Sequence, residues 1–280
     1  MRALFVTDLH GATWKFERAL SCACERGAQL LIHGGDLLPH SSDVAGGRAF
    51  IREHLDRHFA ACAAAGLECL TYLGNDDPLM LDPLFDETCR RHAGIHHLAQ
   101  RKIERGGFEF IGMNWVVDYP FRIKDRCRMD TPEYVFQKQL GTGLLSTPDG
   151  WRELPDWIGY ARTLPTIAAE LERLPEPSDF ARAVYVVHMP PAKLGLDVCG
   201  NGLEVGSIAL QRFILARQPR LTLHGHIHES PQASGVWKAK LGRTVCVQPG
   251  QLRPFTAVLI DLETMDAERI EEERGAKGGS

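Results

Sequence analysis

An α/β architecture with largely parallel strand pairing is predicted by three features of this 280-residue sequence. Short apolar runs alternate with amphipathic stretches through the first third, and strand-like segments crowd the second half. Polar residues able to do chemistry sit just after the apolar runs. In open α/β sheets that edge is where ligands bind.

The first unit is "RALFVT" (2–7), followed by Phe16, Ala19, Leu20 and Ala23 at i, i+3, i+4, i+7 spacing, which predicts strand, loop and helix. The unit recurs in "AQLLIHGGD" (28–36), with Ile51, Leu55, Phe59 and Cys62 on one helical face. It recurs again in "LECLTYLGNDDP" (67–78) ahead of another helical stretch. Beyond residue 95, "RKIER", "FEFIGMNW", "ARAVYVVH", "RLTLHGH", "GVWKAKLG", "RTVCVQPG" and "FTAVLIDL" read as closely spaced strands. Residues 116–180 exceed the usual length of a connection and predict an insertion or cap element, with a helix over roughly 156–174. Residues 1–262 are expected to form one domain. The charged tail 263–280 has few apolar residues, and its Gly/Lys/Ser end is expected to be disordered.

A formal charge of -4 offers no global basic field, so bulk nucleic acid is disfavoured as a partner while a small anionic substrate is not. No run of about 18 apolar residues is present, no membrane partner is expected, and the N-terminus lacks a signal pattern, so the expected location is cytoplasmic. Eight scattered cysteines without C-x-x-C spacing fit reduced thiols better than a disulfide framework. Cys22 and Cys24 lie in a helical stretch where their side chains point apart.

Five strand ends carry the chemistry: Asp8 and His10; Asp36; Asn75, Asp76 and Asp77; His188; and His226 with His228. Strand residues two apart face the same way, so Asp8/His10 and His226/His228 can each present two ligands to one side. Singly, each has an ordinary alternative. Asp77 before Pro78 has the pattern of a helix N-cap, and His188 alone would suit a satisfied buried histidine. Jointly, carboxylate, amide and imidazole groups at five strand ends point to a metal site.

Asp8-x-His10, Gly35-Asp36, Gly74-Asn75-x-Asp77, His188-x-Pro190-Pro191 and Gly225-His226-Ile227-His228 occur in this order. The set resembles the signature of the calcineurin-like metallophosphoesterases. "GLDVCGNGLEVGSIALQRFI" (195–214) resembles the cytosolic phosphodiesterase-like branch, although Gly206-Ser207 can equally be an N-cap. The resemblance implies a four-layer αββα sandwich with two mixed β-sheets. It also implies two divalent ions, one held by Asp8, His10, Asp36 and His228 and the other by Asp36, Asn75, His188 and His226. Mixed N/O ligation suits Mn, Fe or Zn. The implied activity is hydrolysis of a small phosphoester, phosphodiester favoured, by a metal-bridging hydroxide. A phosphomonoesterase, a nuclease or a binding scaffold of the same fold are the alternatives.

His224 shares the face of His226 but sits one step further into the sheet, and is expected to pack or to support the ligands. His40 lies nearest the site and is a candidate substrate contact. The family often places a histidine after Gly-Asn, where it helps protonate the leaving group and the next aspartate orients it. Here that position is Asp76, with Asp77 following, so Asn75, Asp76 and Asp77 are the catalytic candidates, Asp76 is the candidate acid among them, and esters with good leaving groups are expected to be favoured. Arg122, Lys124, Arg126 and Arg128 alternate after "GMNW"; Arg122 and Arg126 are candidate phosphate contacts, and a solvated charged surface is the other reading.

Overall fold

Strands that are apolar on both faces need cover on both sides. In β1 (Arg2–Val6), Leu4 and Val6 pack toward helices, while Ala3 and Phe5 pack toward a second sheet. The structure, a computed structural model, describes residues 1–40 and 43–274. Parallel to β1 run β2 (Leu30–His33), β3 (Glu68–Thr71) and β4 (Ile95–His97). A hairpin of β5 (Lys102–Arg105) and β6 (Phe108–Met113) begins the second sheet. The short parallel pair β7 (Val116–Val117) and β8 (Cys127–Arg128) follows, then the hairpin β9 (Gly143–Thr147) and β10 (Gly150–Leu154). With β11 (Ala183–Val187), β12 (Leu221–Leu223), β13 (Lys238–Leu241) and β14 (Thr244–Val247) the second sheet has the order β13-β14-β12-β11-β6-β5. Finally β15 (Phe255–Asp261) returns antiparallel to β1 and pairs with β16 (Ala267–Glu272), giving the first sheet the order β16-β15-β1-β2-β3-β4.

Three apolar cores stack through the molecule. Helices Thr13–Glu25, Val44–Phe50 continuing to Ala64, and Asp82–Arg90 press Phe16, Phe59 and Phe85 onto the first sheet. Phe5, Ile32 and Leu70 meet Phe110, Val186 and Leu223 between the sheets. On the far side Leu210 and Phe213 of helix Ile208–Arg217, with Trp157 and Leu171, cover Tyr185 and Val187. The result is a four-layer αββα sandwich with two mixed sheets.

Two local expectations are corrected. The helix expected over 156–174 is two helices, Trp157–Ala161 and Ile167–Arg173. Pro165 stands between them, and a proline disfavours the helical conformation at the residue before it. Thr166 caps the second helix by accepting from the Ala169 N–H at 3.2 Å. The tail also contributes the edge strand β16, which needs apolar cover on only one face, and buried Ile270 supplies it. The end of the tail, 275–280, lies outside the described residues. All eight cysteines are free, with Cys22 buried and Cys24 exposed. Among the described residues, no helix is long and apolar enough to cross a membrane.

Candidate metal centre

The parallel strands β1, β2 and β3 of one sheet and β11 and β12 of the other end at a common edge. Their connecting loops interlock there. Asp8 N–H donates to Gly35 O at 3.0 Å, His10 N–H to Asp36 O at 2.9 Å, and Gly225 N–H to His188 O at 2.9 Å. Glycine is demanded at two of these meetings. A Cβ on Gly74 would fall on the Asp36 carboxylate and backbone nitrogen, and one on Gly225 would fall on the Thr7 hydroxyl, so neither loop could approach its neighbour with a larger residue. The requirement at Gly225 is therefore close approach, with no positive φ.

Donor atoms converge in overlapping sets, of which His10, His40 and His228 are one and two others share Asp36. Asp8, His10, Asp36 and His228 form one group and Asp36, His188 and His226 another, with the ligand atoms of each group all within 4.8 Å of one another. Asp36 belongs to both. His10 Nε2 faces His228 Nε2 at 3.0 Å. Asn75 joins the second group through its amide oxygen, 2.9 Å from His188 Nε2 and 2.6 Å from His226 Nδ1. Asp8, His10, Asp36 and His226 all have positive φ, at 56°, 42°, 52° and 70°. Such backbone costs about 1–3 kcal/mol per residue and persists only where the surroundings hold it in place. Half of the eight described non-glycine residues with positive φ are thus candidate ligands.

The chemistry of these donors fits divalent cations. Nitrogen and oxygen atoms converge with no thiolate among them, which suits Mn, Fe or Zn better than soft ions. His188 is set for this use: Nδ1 lies 2.6 Å from Gly34 O, which leaves Nε2 facing Asp36 and Asn75. Burial lowers the basicity of His188, but Asp36, Asp8 and the Gly34 carbonyl outweigh it and raise the ring to about 9. His228 follows the same pattern: burial opposes, Asp8 and Asp36 prevail, and the value is about 9. His10 and His226 are pushed down to about 4, mainly by burial. Burial also works against ionisation of Asp8, but His228 and His188 bring it to about 2, and His188 and His10 likewise hold Asp36 low.

Several residues act on the ligands from behind. Buried Asp77 is the clearest correction to the sequence reading: it caps no helix. Its Oδ2 accepts from Leu37 N–H at 3.0 Å and Gly74 N–H at 2.7 Å, and its Oδ1 from Leu38 N–H at 2.8 Å. It therefore ties the loop after Asp36 to the loop before Asn75. Burial and neighbouring Asp36 push its carboxyl up to about 7 against the pull of the three amides. The short helical turn after Pro78 is instead held by Asp125, which accepts from Leu79 N–H at 2.9 Å.

Arg126 is also relocated. It is buried away from the cavity, donating from Nε to Gly74 O at 2.7 Å and pairing with Asp82 at 2.6 Å. It holds the Asn75 loop and has no path to a phosphate. Lys124 is buried against Asp118 at 2.7 Å, and Arg128 stacks 3.9 Å over the Trp115 ring. So the alternating cations are neither a phosphate cluster nor, except for Arg122, a solvated surface. Arg122 lies at the cavity, half exposed and paired with Glu153 at 3.4 Å. Tyr119 had no signal in the sequence. Its hydroxyl accepts from Asn75 Nδ2 at 3.1 Å and donates to Ile123 O at 3.1 Å, which helps aim the Asn75 amide oxygen at the two histidines.

Asp76 and His40 meet across two loops. His40 Nδ1 is 3.3 Å from Asp76 Oδ2, and the His40 ring stacks on His10 with centroids 3.4 Å apart. Asp76 Oδ1 accepts from Asn75 Nδ2 at 2.8 Å. The hydrogen bond to Asp76 raises His40 above its ordinary value. His224 points away from the cluster, with Nδ1 3.0 Å from Val187 O and Nε2 2.7 Å from the Thr222 hydroxyl. A cavity of about 820 Å³ opens over Asp36, Asn75, His226 and His228.

The fold recurs in solved structures. A solved structure from Thermus thermophilus, TT1561, is similar over 96% of this chain and 98% of its own, with 18% identity and a TM-score of 0.59. An archaeal phosphodiesterase (10% identity, 97% of this chain and 99% of its own, TM-score 0.48) and a dimetal phosphatase from Danio rerio (10% identity, 98% of each chain, TM-score 0.46) show a weaker likeness. No curated protein sequence matches. Residues 1–230 match the model of the calcineurin-like phosphoesterases, a span that carries every ligand candidate, and the chain belongs to that family.

Proposed function

We propose that the chain hydrolyses a small phosphodiester at a pair of divalent ions shared through Asp36. The observation that carries this reading is the convergence of two donor groups on that one carboxylate, Asp8, His10 and His228 on one side and Asn75, His188 and His226 on the other. Two such ions would supply Lewis acidity, making a water molecule nucleophilic near neutral pH and polarising the phosphoryl oxygens. The protein's own part is to hold the donors and to handle the proton of the departing oxygen. His40, at the cavity and backed by Asp76, is the imidazole in place to donate that proton. Asp76 then serves as its partner, and the pair assembles from two loops the histidine and aspartate that the family often carries side by side. A diester is favoured because the cavity extends well beyond the donors and has room for groups on two sides of a phosphorus. Part of its wall, Val117 to Ile123, comes from the segment 116–180, which we assign a capping role. The free state of all eight cysteines suits a reducing compartment, and we place the protein in the cytoplasm.

Metal analysis together with hydrolysis of bis-p-nitrophenyl phosphate and p-nitrophenyl phosphate under added manganese tests this. Metal uptake with faster cleavage of the diester is expected. A folded protein that takes up no divalent ion and cleaves neither ester would leave the scaffold reading; faster cleavage of the monoester would replace the diester assignment.

A further inference from the structure

We propose that one arm of the diester is a large apolar group, alkyl or aryl, seated in the cavity beside the metal centre; this rests on the phosphoesterase reading above. The walls argue for it. Val117 ends β7, and Tyr119, Phe121 and Ile123 come from the loop after it, while Leu203 and Val205 come from the loop between β11 and helix Ile208–Arg217. Phe121 and Leu203 hold large apolar side chains 61% and 60% exposed at this cavity. Burying such surface against a ligand returns about 25 cal/mol per Å². Both side chains thus leave more than half of their surface open to water.

Charge points the same way. Asp76, Asp118 and Glu229 line the cavity with Arg122 as the one arginine or lysine among the described residues there, and Arg122 is paired with Glu153. The Asp118 carboxylate is taken by Lys124 and by the Trp157 indole at 2.9 Å, and Glu229 accepts from Gly200 N–H at 3.0 Å. Polyphosphates and dinucleotides bring further negative charge, for which the described residues of these walls offer only Arg122, already paired, and the His40 imidazole. A diester presents one negative charge at the metals and an uncharged arm, which matches a cationic centre beside an apolar, acid-rimmed cavity.

The test holds the leaving group constant. p-Nitrophenyl phosphodiesters whose other arm is methyl, octyl, phenyl or 5′-thymidyl are compared in the manganese-loaded protein by kcat/KM. Calorimetry then follows binding of octyl and methyl methylphosphonate, whose alkoxide leaving groups depart far more slowly than p-nitrophenolate. The octyl and phenyl esters should exceed the methyl ester at least about tenfold, since each buried methylene is worth about fourfold. The large but polar thymidyl arm should bring no such gain. The octyl phosphonate should bind at least about tenfold tighter than the methyl one, with a negative heat-capacity change. Phe121→Ser with Leu203→Ser, both at exposed positions, should reduce the octyl-to-methyl ratio at least threefold. Equal rates for all four esters, a thymidyl ester faster than the phenyl ester, or an unchanged ratio in the double variant would overturn the apolar arm and leave the phosphoesterase intact. No manganese uptake and no cleavage of any ester would overturn both.

Discussion

Replacing Asp77 by Asn separates two roles for this side chain. As an N-cap, which the sequence pattern suggested, Asn would serve nearly as well as Asp. In the structure the carboxylate instead accepts from Leu37, Leu38 and Gly74 N–H at 2.7–3.0 Å. The amide oxygen of Asn can take the place of Oδ2 and keep two of these bonds. Its NH₂ then faces the Leu38 N–H, so a bond to a charged acceptor is lost and two donors are opposed. Losing a bond to a charged group and orphaning a buried amide costs about 2–3 kcal/mol. For a chain of 280 residues that lowers Tm by roughly 3–5 °C. The assay is thermal unfolding at pH 8, above the value of about 7 at which the buried carboxyl ionises, with metal affinity measured alongside. Affinity should fall as well, because the released loops carry Asp36 and Asn75. A Tm within 1–2 °C of the parent and unchanged metal affinity would refute the assignment, since that small change is what exchange of one cap residue for another produces.

Other outcomes follow from the same geometry. Arg126→Lys keeps the charge but cannot bond Gly74 O and both Asp82 oxygens together, so a loss of about 2–4 kcal/mol is expected by denaturant titration, and a change under 0.5 kcal/mol would contradict the placement. His40→Ala should lower kcat by about 10²-fold or more on diesters of alkyl alcohols and far less on p-nitrophenyl esters, which need little help in departing; equal losses on both would deny His40 the proton. Metal binding at pH 7 should release about two protons, one each from His188 and His228, both raised to about 9, as calorimetry in buffers of different ionisation enthalpy would show. The same two rings lie above their unfolded value of 6.5, so the stability they contribute to metal-free protein is complete below pH 6.5 and disappears as pH rises through 9. A metal-free Tm that stays flat or rises over that window would contradict this.

The ligand candidates were legible one strand end at a time. Asp8 follows "ALFV", His188 follows "VYVV" and His226 follows "LTL", so each announces itself by a local change from apolar to polar. Arg126 and Lys124 could not be read this way. Four alternating cations look the same in sequence whether they face water or turn inward, and the decision lay with Asp82, Gly74 and Asp118, residues packed against them by the fold. Tyr119 carried no local signal, because its significance is a single hydroxyl 3.1 Å from an amide 44 positions earlier. The cap that the sequence offered as the ordinary alternative for Asp77 is not formed: Asp-Pro before a helix is a common cap pattern, but the carboxylate turns back to the loop after Asp36.

By itself the sequence determined the layered α/β class, the parallel strand ends and the types of donor atom at each, because burial on both strand faces and the polarity of the following residues are written within a few consecutive positions. Only the tertiary structure decided which cations back the loops rather than meet substrate, that Asp77 ties two loops together, and that His40 stands beside Asp76. These depend on distances of about 3 Å between residues tens of positions apart. Chain connectivity leaves such distances open until the sheets pack.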